Sequence, residues 1–410
     1  MSNSKLDFET GKDVCLATVM IDRDAEPRLK RLAKQFPALV LTGPRQSGKS
    51  TVSQKVFAHL PYATLESPDV RMFATEDPRG FLKQFPKGAI LDEIQNSPQI
   101  TSYLQEMIDR EPTPGRWILT GSHNLAVMKS ASQSLAGRSA VAHILPLSRN
   151  EVVRFAHHPK TLNEAILTGG YPRILDRDLN AADWLASYVA TYLERDIRSI
   201  SNVGDLVAFQ RFVQLSAGRL AQLLNFSALA ADCGVSQPTA KAWSSVLEAS
   251  FIAFRLPSYH GNVSKRLIKM PKLHFYDTGL ACWLLGIRNT AQLDLHPLRG
   301  AIFECWVVSE IIKQRFNHGE ANGVYFFRDK TGLESDALVQ GRKSMRIVEV
   351  KAGQTIASDW AASSRKIMEL FAKSKQEVSS VVVYGGMEKQ ERNGVTYLPW
   401  HAIQDYSWVD

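Results

Sequence analysis

The chain has 410 residues, of which 44% are hydrophobic and 22% charged, with a formal net charge of +8 and a pI near 9.2. This balance excludes a disordered or fibrous chain and supplies apolar material for two or three domain cores, while no apolar run approaches the ~20 residues needed to cross a bilayer. Four scattered cysteines (Cys15, Cys233, Cys282 and Cys305) form no CxxC pair, which argues against structural zinc or a disulfide scaffold and for a reduced, cytoplasmic protein with no membrane association.

Residues 1–20, "MSNSKLDFETGKDVCLATVM", mix charges of both signs without a signal-peptide apolar block and read as a flexible lead-in. From 21 to 153 the apolar runs "FPALVLTG", "GAILDEIQ", "RWILTGS" and "AVAHILPL" alternate with helical stretches. That alternation predicts an α/β fold with a parallel sheet. From 154 to 286 the pattern turns mostly helical. Here "FSALAADCGVSQPTAKAWSSVLEASFIAFRLP" predicts helix, tight turn at Gly234, helix capped by Ser236, then strand. The hairpin-like "YHGNVSKRLIKMPKLHFYD" follows, so the middle segment reads as a winged helix-turn-helix. From 287 to 410 a helix, "GAIFECWVVSEIIKQRF", precedes several strands and a further helix, a second α/β unit.

The stretch "GPRQSGKS", Gly43 to Ser50, fits the P-loop pattern in full and lies between a strand and a helix. Glycines at 43 and 48 let the backbone of Pro44, Arg45, Gln46 and Ser47 wrap a phosphate, with Thr51 opening the helix whose N-terminus favours an anion. Lys49 is placed to reach the β- and γ-phosphates of ATP, and the Ser50 hydroxyl to ligate Mg²⁺. "GAILDEIQ" ends a strand in Asp92, which would hold the Mg²⁺ shell through water, and Glu93, which would polarise the attacking water. Ser122 and Asn124, in "WILTGSHN", are candidates to bond the γ-phosphate or the lytic water. Arg138, in "SLAGRSA", is a candidate arginine supplied to a neighbouring subunit's γ-phosphate, which would require a homo-oligomer. The ordinary alternatives are a surface acidic pair, a strand-end cap and a surface arginine respectively.

The order "GPRQSGKST", "LDEIQ", "LTGS", "SLAGR", "LPLSRNE", "GGYPR", "YLERDI", "FYDTGLA", "FECWVVSEI", "FFRDKTGLESD" and "VEVKAG" resembles a widespread prokaryotic group of AAA-type P-loop ATPases. The resemblance spans nearly the whole chain after Ile21. It implies an ATPase core, a winged helix and a nuclease-like last domain whose role is unknown. Ser47 stands where such proteins often carry an aliphatic residue, a departure of little consequence because backbone groups cradle phosphate there.

In "ESDALVQGRKSMRIVEVKAG", Asp336 starts one strand and Glu349 and Lys351 lie on the next. Residues two apart on a strand share a face, so Glu349 and Lys351 point towards Asp336. Carboxylates and a lysine so placed can bind Mg²⁺ and activate water for phosphodiester attack. The set is similar to the PD-(D/E)xK restriction-endonuclease pattern, and that similarity implies Glu304, on the preceding helix, as a further acidic ligand. Two alternatives stand beside it: an internal salt-bridge network, and a nuclease fold kept as a scaffold that does not cut.

The second helix of the winged element carries Gln237, Thr239, Lys241 and Trp243, and the wing carries Lys265, Arg266, Lys269 and Lys272. Spaced cations of this kind suit phosphate contacts with DNA, and the net charge permits such a partner. The rival role is a lid that senses nucleotide state. The sequence therefore predicts an ATPase acting on or with DNA. The alternative is a nucleotide-dependent switch with an inert nuclease fold and a protein partner. A DNA-binding regulator with a vestigial ATPase is disfavoured by the intact Lys49, Ser50, Asp92 and Glu93.

Overall fold

The computed structural model describes residues 20–122, 135–193, 205–260, 270–320, 322–372 and 376–410. The apolar runs "ALVLT", "AILD" and "WILTG" become strands buried at every position, as the centre of a parallel sheet covered on both faces requires. In chain order the first elements are α1 (Glu26–Ala33), β1 (Ala38–Thr42), α2 (Lys49–Val56), β2 (Tyr62–Thr64), α3 (Pro68–Glu76) and α4 (Pro78–Lys83). They are followed by β3 (Ala89–Asp92), α5 (Ile100–Arg110), β4 (Trp117–Gly121) and β5 (Ser139–His143). Every pairing among these strands is parallel, in the order β2-β3-β4-β1-β5.

The pleat sorts the core into two faces. Ala38 and Val40 of β1 join Ala89, Leu91, Trp117 and Leu119, against Phe81, Phe85 and Leu104. Leu39 and Leu41 join Ile90 and Ile118 on the other face, against Leu29 and Val52. The sheet thus places the carboxyl end of β1, where the glycine loop begins, beside the carboxyl ends of β3 and β4.

The chain divides into two compact units between Leu145 and Pro146. The second unit opens with helices: α6 (Arg149–Val152), α7 (Leu162–Thr168), α8 (Pro172–Asp176), α9 (Ala181–Tyr188) and α10 (Leu206–Ala217). Next come α11 (Phe226–Cys233) and α12 (Gln237–Ala249). Asn225 caps α11, and Gly234 closes it in the left-handed conformation at φ 73°. The Ser236 hydroxyl accepts from the Thr239 N–H to open α12. Strands β6 (Ala253–Leu256) and β7 (Lys272–Phe275) pair antiparallel, so the expected helix, turn, helix and strand are present, while residues 261–269 of the expected hairpin-like stretch lie outside the described residues.

The helices α13 (Thr278–Leu284), α14 (Thr290–Leu295) and α15 (Arg299–His318) lead into the last sheet. Its members are β8 (Val324–Arg328), β9 (Glu334–Gln340), β10 (Ser344–Lys351), β11 (Glu377–Tyr384), β12 (Gln390–Arg392) and β13 (Val395–Pro399), with α16 (Ala362–Phe371) between β10 and β11. The order is β12-β13-β11-β10-β9-β8, mixed in direction: β10–β11 and β11–β13 are parallel, the rest antiparallel. The fold is thus α/β, with a parallel core, a helical middle and a mixed C-terminal sheet.

Helix α15 carries buried charge as well as buried apolar side chains. Its Lys313 and Glu310 pair at 2.9 Å, and the Arg149 N–H donates to the second Glu310 oxygen at 2.7 Å. Pairing of this kind is what makes internal charge tolerable.

Candidate functional site

The loop between β1 and α2 owes its shape to backbone that only glycine adopts at ease. Gly43 has φ 152°, and a Cβ there would stand 2.1 Å from the Ile144 carbonyl oxygen. Gly48 has φ 89° and directly precedes α2. Gln46 also takes a left-handed φ, of 61°. Ser47 is buried and its Oγ has no hydrogen-bond partner, so the departure from an aliphatic residue leaves a hydroxyl inside the loop.

Lys49 is buried, and its Nζ donates to the Gly43 and Pro44 carbonyls at 3.1 and 2.7 Å, turned back over the cradle. The Ser50 Oγ donates to Asp92 Oδ1 at 2.8 Å, which joins the two residues expected to share a metal shell. Arg45 lies 3.9 Å from Glu66, and Thr51 is exposed on the first turn of α2.

Asp92 has further donors that sequence reasoning did not find. The Tyr62 hydroxyl donates to Asp92 Oδ2 at 2.7 Å, and the Thr120 hydroxyl donates to Oδ1. Burial first, then the Asp92 carboxylate, push the Tyr62 phenol up, so it stays a donor. Nothing local marks Tyr62 in the sequence, since parallel pairing of β2 with β3 is what sets it beside Asp92. Arg23 was likewise missed. Its guanidinium is buried and donates to the Ser47 carbonyl at 2.8 Å and the Leu145 carbonyl at 2.9 Å, bracing the loop from behind.

Glu93 sits at φ 55°, a left-handed conformation for a residue with a side chain. Such a conformation costs on the order of 1 kcal/mol and clusters at functional sites. The Ser122 Oγ donates to Glu93 Oε2 at 3.0 Å, and Gln95 donates to the same oxygen. Ser122 is therefore brought to Glu93, while Asn124 lies outside the described residues. Arg138 ends in a two-point contact with Asp109 of the same chain, Nη2 to Oδ2 at 2.9 Å, and stays partly exposed. These residues fit a nucleoside triphosphate with its metal: a buried lysine in a glycine cradle, with a hydroxyl and a carboxylate side by side.

The C-terminal constellation also comes together. In the antiparallel β9–β10 ladder, Leu338 faces Ile347 and Ala337 faces Val348, so Asp336 and Glu349 continue on the face of Leu338 and Ile347. Asp336 Oδ2 accepts from the Val350 N–H at 2.7 Å, and Glu349 Oε2 accepts from Lys351 at 3.1 Å. Glu349 Oε1 is buried without a partner. Burial, reinforced by the Asp336 charge, raises both Glu349 and Glu304, and burial raises Asp336.

One member of this cluster corrects the sequence reading. Lys272, assigned to a DNA-contacting wing, is buried and bonds Glu304 Oε1 at 3.0 Å and Glu334 Oε1 at 2.8 Å. Burial alone would lower its ammonium, but Glu304, Asp336 and Glu334 outweigh that and raise it. The physical reason is the hairpin: β7 begins at Lys272 and α15 passes beside it. Trp243 needs the same correction. It is buried in T-shaped contacts with Phe209 and Phe212, ring centroids 5.1 and 5.5 Å away, and is a core residue of the helix pair. Lys241 is exposed on α12, whereas Lys265, Arg266 and Lys269 lie outside the described residues. Among the described residues, no three acidic, histidine or cysteine side chains stand in an arrangement that could hold a metal. No helix among them is long and apolar enough to cross a membrane.

Comparison with known proteins divides the chain in three. Residues 159–291 match a domain of unknown function (DUF8612), residues 299–403 another (DUF4143), and residues 35–153 an AAA domain (AAA_14). The uncharacterized proteins Rv2008c of Mycobacterium tuberculosis and Mb2031c of Mycobacterium bovis are each 29% identical over 342 residues, covering 83% of this chain and 75% of theirs. Among solved structures, the Walker-type ATPase PABY2304 of Pyrococcus abyssi aligns with 65% of this chain and 96% of its own at 15% identity, with a TM-score of 0.45, too low to carry the fold by itself. The AAA match, the parallel sheet, the buried Lys49 and the Ser50–Asp92 hydrogen bond together support a nucleotide-binding P-loop ATPase of the AAA type in residues 35–153.

Proposed function

We propose that the chain binds and hydrolyses ATP at the glycine cradle and uses that cycle to change the state of the units behind it. The observation that carries the reading is the Ser50–Asp92 hydrogen bond beside the buried Lys49. Lys49 releases its loop carbonyls to pair with the β- and γ-phosphates, while Ser50 and Asp92 hold the metal shell. Bound Mg²⁺ supplies charge neutralisation on the β- and γ-oxygens. Glu93 orients the attacking water, and Ser122 positions the Glu93 carboxylate. Arg138 serves a neighbouring copy once it leaves Asp109.

The test is calorimetric ATP binding and turnover for wild type, Lys49→Ala and Glu93→Gln, with and without duplex DNA. Lys49→Ala is expected to abolish binding. Glu93→Gln is expected to keep binding and to lower turnover by about 10²–10⁴, the usual worth of a positioned base. Wild type that binds no ATP would overturn the proposal.

DNA is the proposed partner of the α11–α12 pair, on the strength of exposed Gln237 and Lys241 and the net charge of +8. Turnover that DNA leaves unchanged, with no salt-dependent binding, would remove it. For the C-terminal unit, the buried Lys272–Glu304 pair favours an inert nuclease-like scaffold, with a protein partner, over a Mg²⁺-dependent cutter. Cleavage lost on Asp336→Ala would reverse that preference.

A further inference from the structure

Asp92 ends β3 between two strands that each send it a hydroxyl. On one side β2 pairs in parallel with β3, with Tyr62 opposite Ile90 and Thr64 opposite Asp92. Residues two apart on a strand share a face. The Tyr62 ring therefore spans from its own place opposite Ile90 to the carboxylate beyond, and its hydroxyl donates to Asp92 Oδ2 at 2.7 Å. The ring itself packs against the core face that holds Leu41 and Ile90. On the other side β4 pairs with β3, Leu119 opposite Leu91, and the next residue, Thr120, is buried and donates to Asp92 Oδ1. Ser50, on the first turn of α2, donates to the same Oδ1 at 2.8 Å.

An ionised carboxylate offers about four acceptor sites, two on each oxygen. Ser50 and Thr120 occupy both sites on Oδ1. Among the described residues Tyr62 is the one donor to Oδ2, so one acceptor site remains there. Ser50 can give its oxygen to a metal while its hydrogen stays on Oδ1. The site left on Oδ2 is then where Asp92 can accept from a metal-bound water, and the Tyr62 hydroxyl sets the direction in which that site faces. Outer partners of this kind commonly orient the groups around a metal. Thr120 has a second duty, since its hydroxyl also accepts from the Glu93 N–H at 3.3 Å. Its loss would disturb both acidic residues, whereas loss of the Tyr62 hydroxyl bears on the metal side alone.

We propose that Tyr62 is a positioning residue for the metal of the nucleotide: its hydroxyl fixes the Asp92 carboxylate so that the acceptor site left on Oδ2 serves the metal shell. The proposal rests on the ATP-binding reading of the glycine cradle.

The test is calorimetric titration of the full chain with the non-hydrolysable ATP analogue AMP-PNP, once in excess EDTA and once in millimolar Mg²⁺. Wild type is compared with Tyr62→Phe, which removes one oxygen and keeps the packed ring, and thermal unfolding without nucleotide checks that the variant is folded. In EDTA the two proteins are expected to bind alike. The gain in affinity on supplying Mg²⁺ is expected to be about tenfold smaller in Tyr62→Phe, the usual scale for losing an outer partner of a metal site. In turnover the variant is expected to need more Mg²⁺ for half-saturation and to reach a kcat within about twofold of wild type at saturating Mg²⁺, the split that marks a binding role. A Tyr62→Phe protein with the wild-type Mg²⁺ gain overturns the proposal. Equal weakening in EDTA and in Mg²⁺ also overturns it, because the hydroxyl then supports only the shape of the cradle. Wild type that binds the analogue equally well in both media overturns it and leaves ATP binding standing. Wild type that binds in neither medium overturns both.

Discussion

His274 is fully buried, stacked on Phe254, and neither of its ring nitrogens has a hydrogen-bond partner. Burial first, then the Lys272 charge, push its imidazole down to about 3. The folded state therefore resists a proton that the unfolded chain takes up near pH 6.5. By linkage the stability is whole above that pH and falls as pH drops towards 3, by about 2 kcal/mol at pH 5 from this group. Urea unfolding of wild type and His274→Leu at pH 7.5 and pH 5 is expected to give the variant the smaller loss. His143, pushed down to about 4 by burial and then by Arg28, adds a similar slope in both proteins. At this scale the sequence announces some roles and hides others. Lys49 is legible because its glycines and hydroxyl are its neighbours. Trp243 was misassigned to the DNA-facing side although its spacing pointed inward: Ala240, Trp243 and Leu247 fall at helical spacing and are all buried, which is the core face.

Elements are held by side chains that reach between them. Asp277 precedes α13 and caps it, Oδ1 accepting from the Leu280 N–H at 2.9 Å, while Oδ2 accepts from the Gly170 N–H at 2.7 Å. Two blocks of sequence, "GGYPR" and "FYDTGLA", thereby meet at one carboxylate. Asp277→Ala would remove a cap and leave a buried N–H unpaired, a loss of about 3 kcal/mol. Denaturant unfolding checks this, and Asp277→Asn, which keeps one acceptor, is expected to lose less. The helix–turn–helix elements were readable because Asn225, Gly234 and Ser236 act on their own backbone. The place of the hairpin against α15 was not, because Lys272 and Glu304 are 32 residues apart and no local pattern links them.

For the whole molecule the open quantity is assembly. Arg138 is partly exposed and paired with Asp109 of the same chain. If it acts across subunits, ATPase rate per chain rises with protein concentration for wild type, and Arg138→Ala is slower by about 10³–10⁵ at the highest concentration. A wild-type rate per chain that stays flat across the assembly range removes the role.

The sequence by itself determined the phosphate cradle, the parallel sheet behind it, the helix pair with its caps, and the shared face of Asp336 and Glu349. Each of these depends on residues close in the chain or on a strand's period of two, so local backbone chemistry is enough to write it. Only the tertiary structure decided that Tyr62 and Thr120 attend Asp92, that Arg23 braces the loop, and that Lys272 faces carboxylates rather than solvent. A charge on a hairpin has no preferred side until the rest of the fold supplies its partners, and here those partners arrive from α15 and β9.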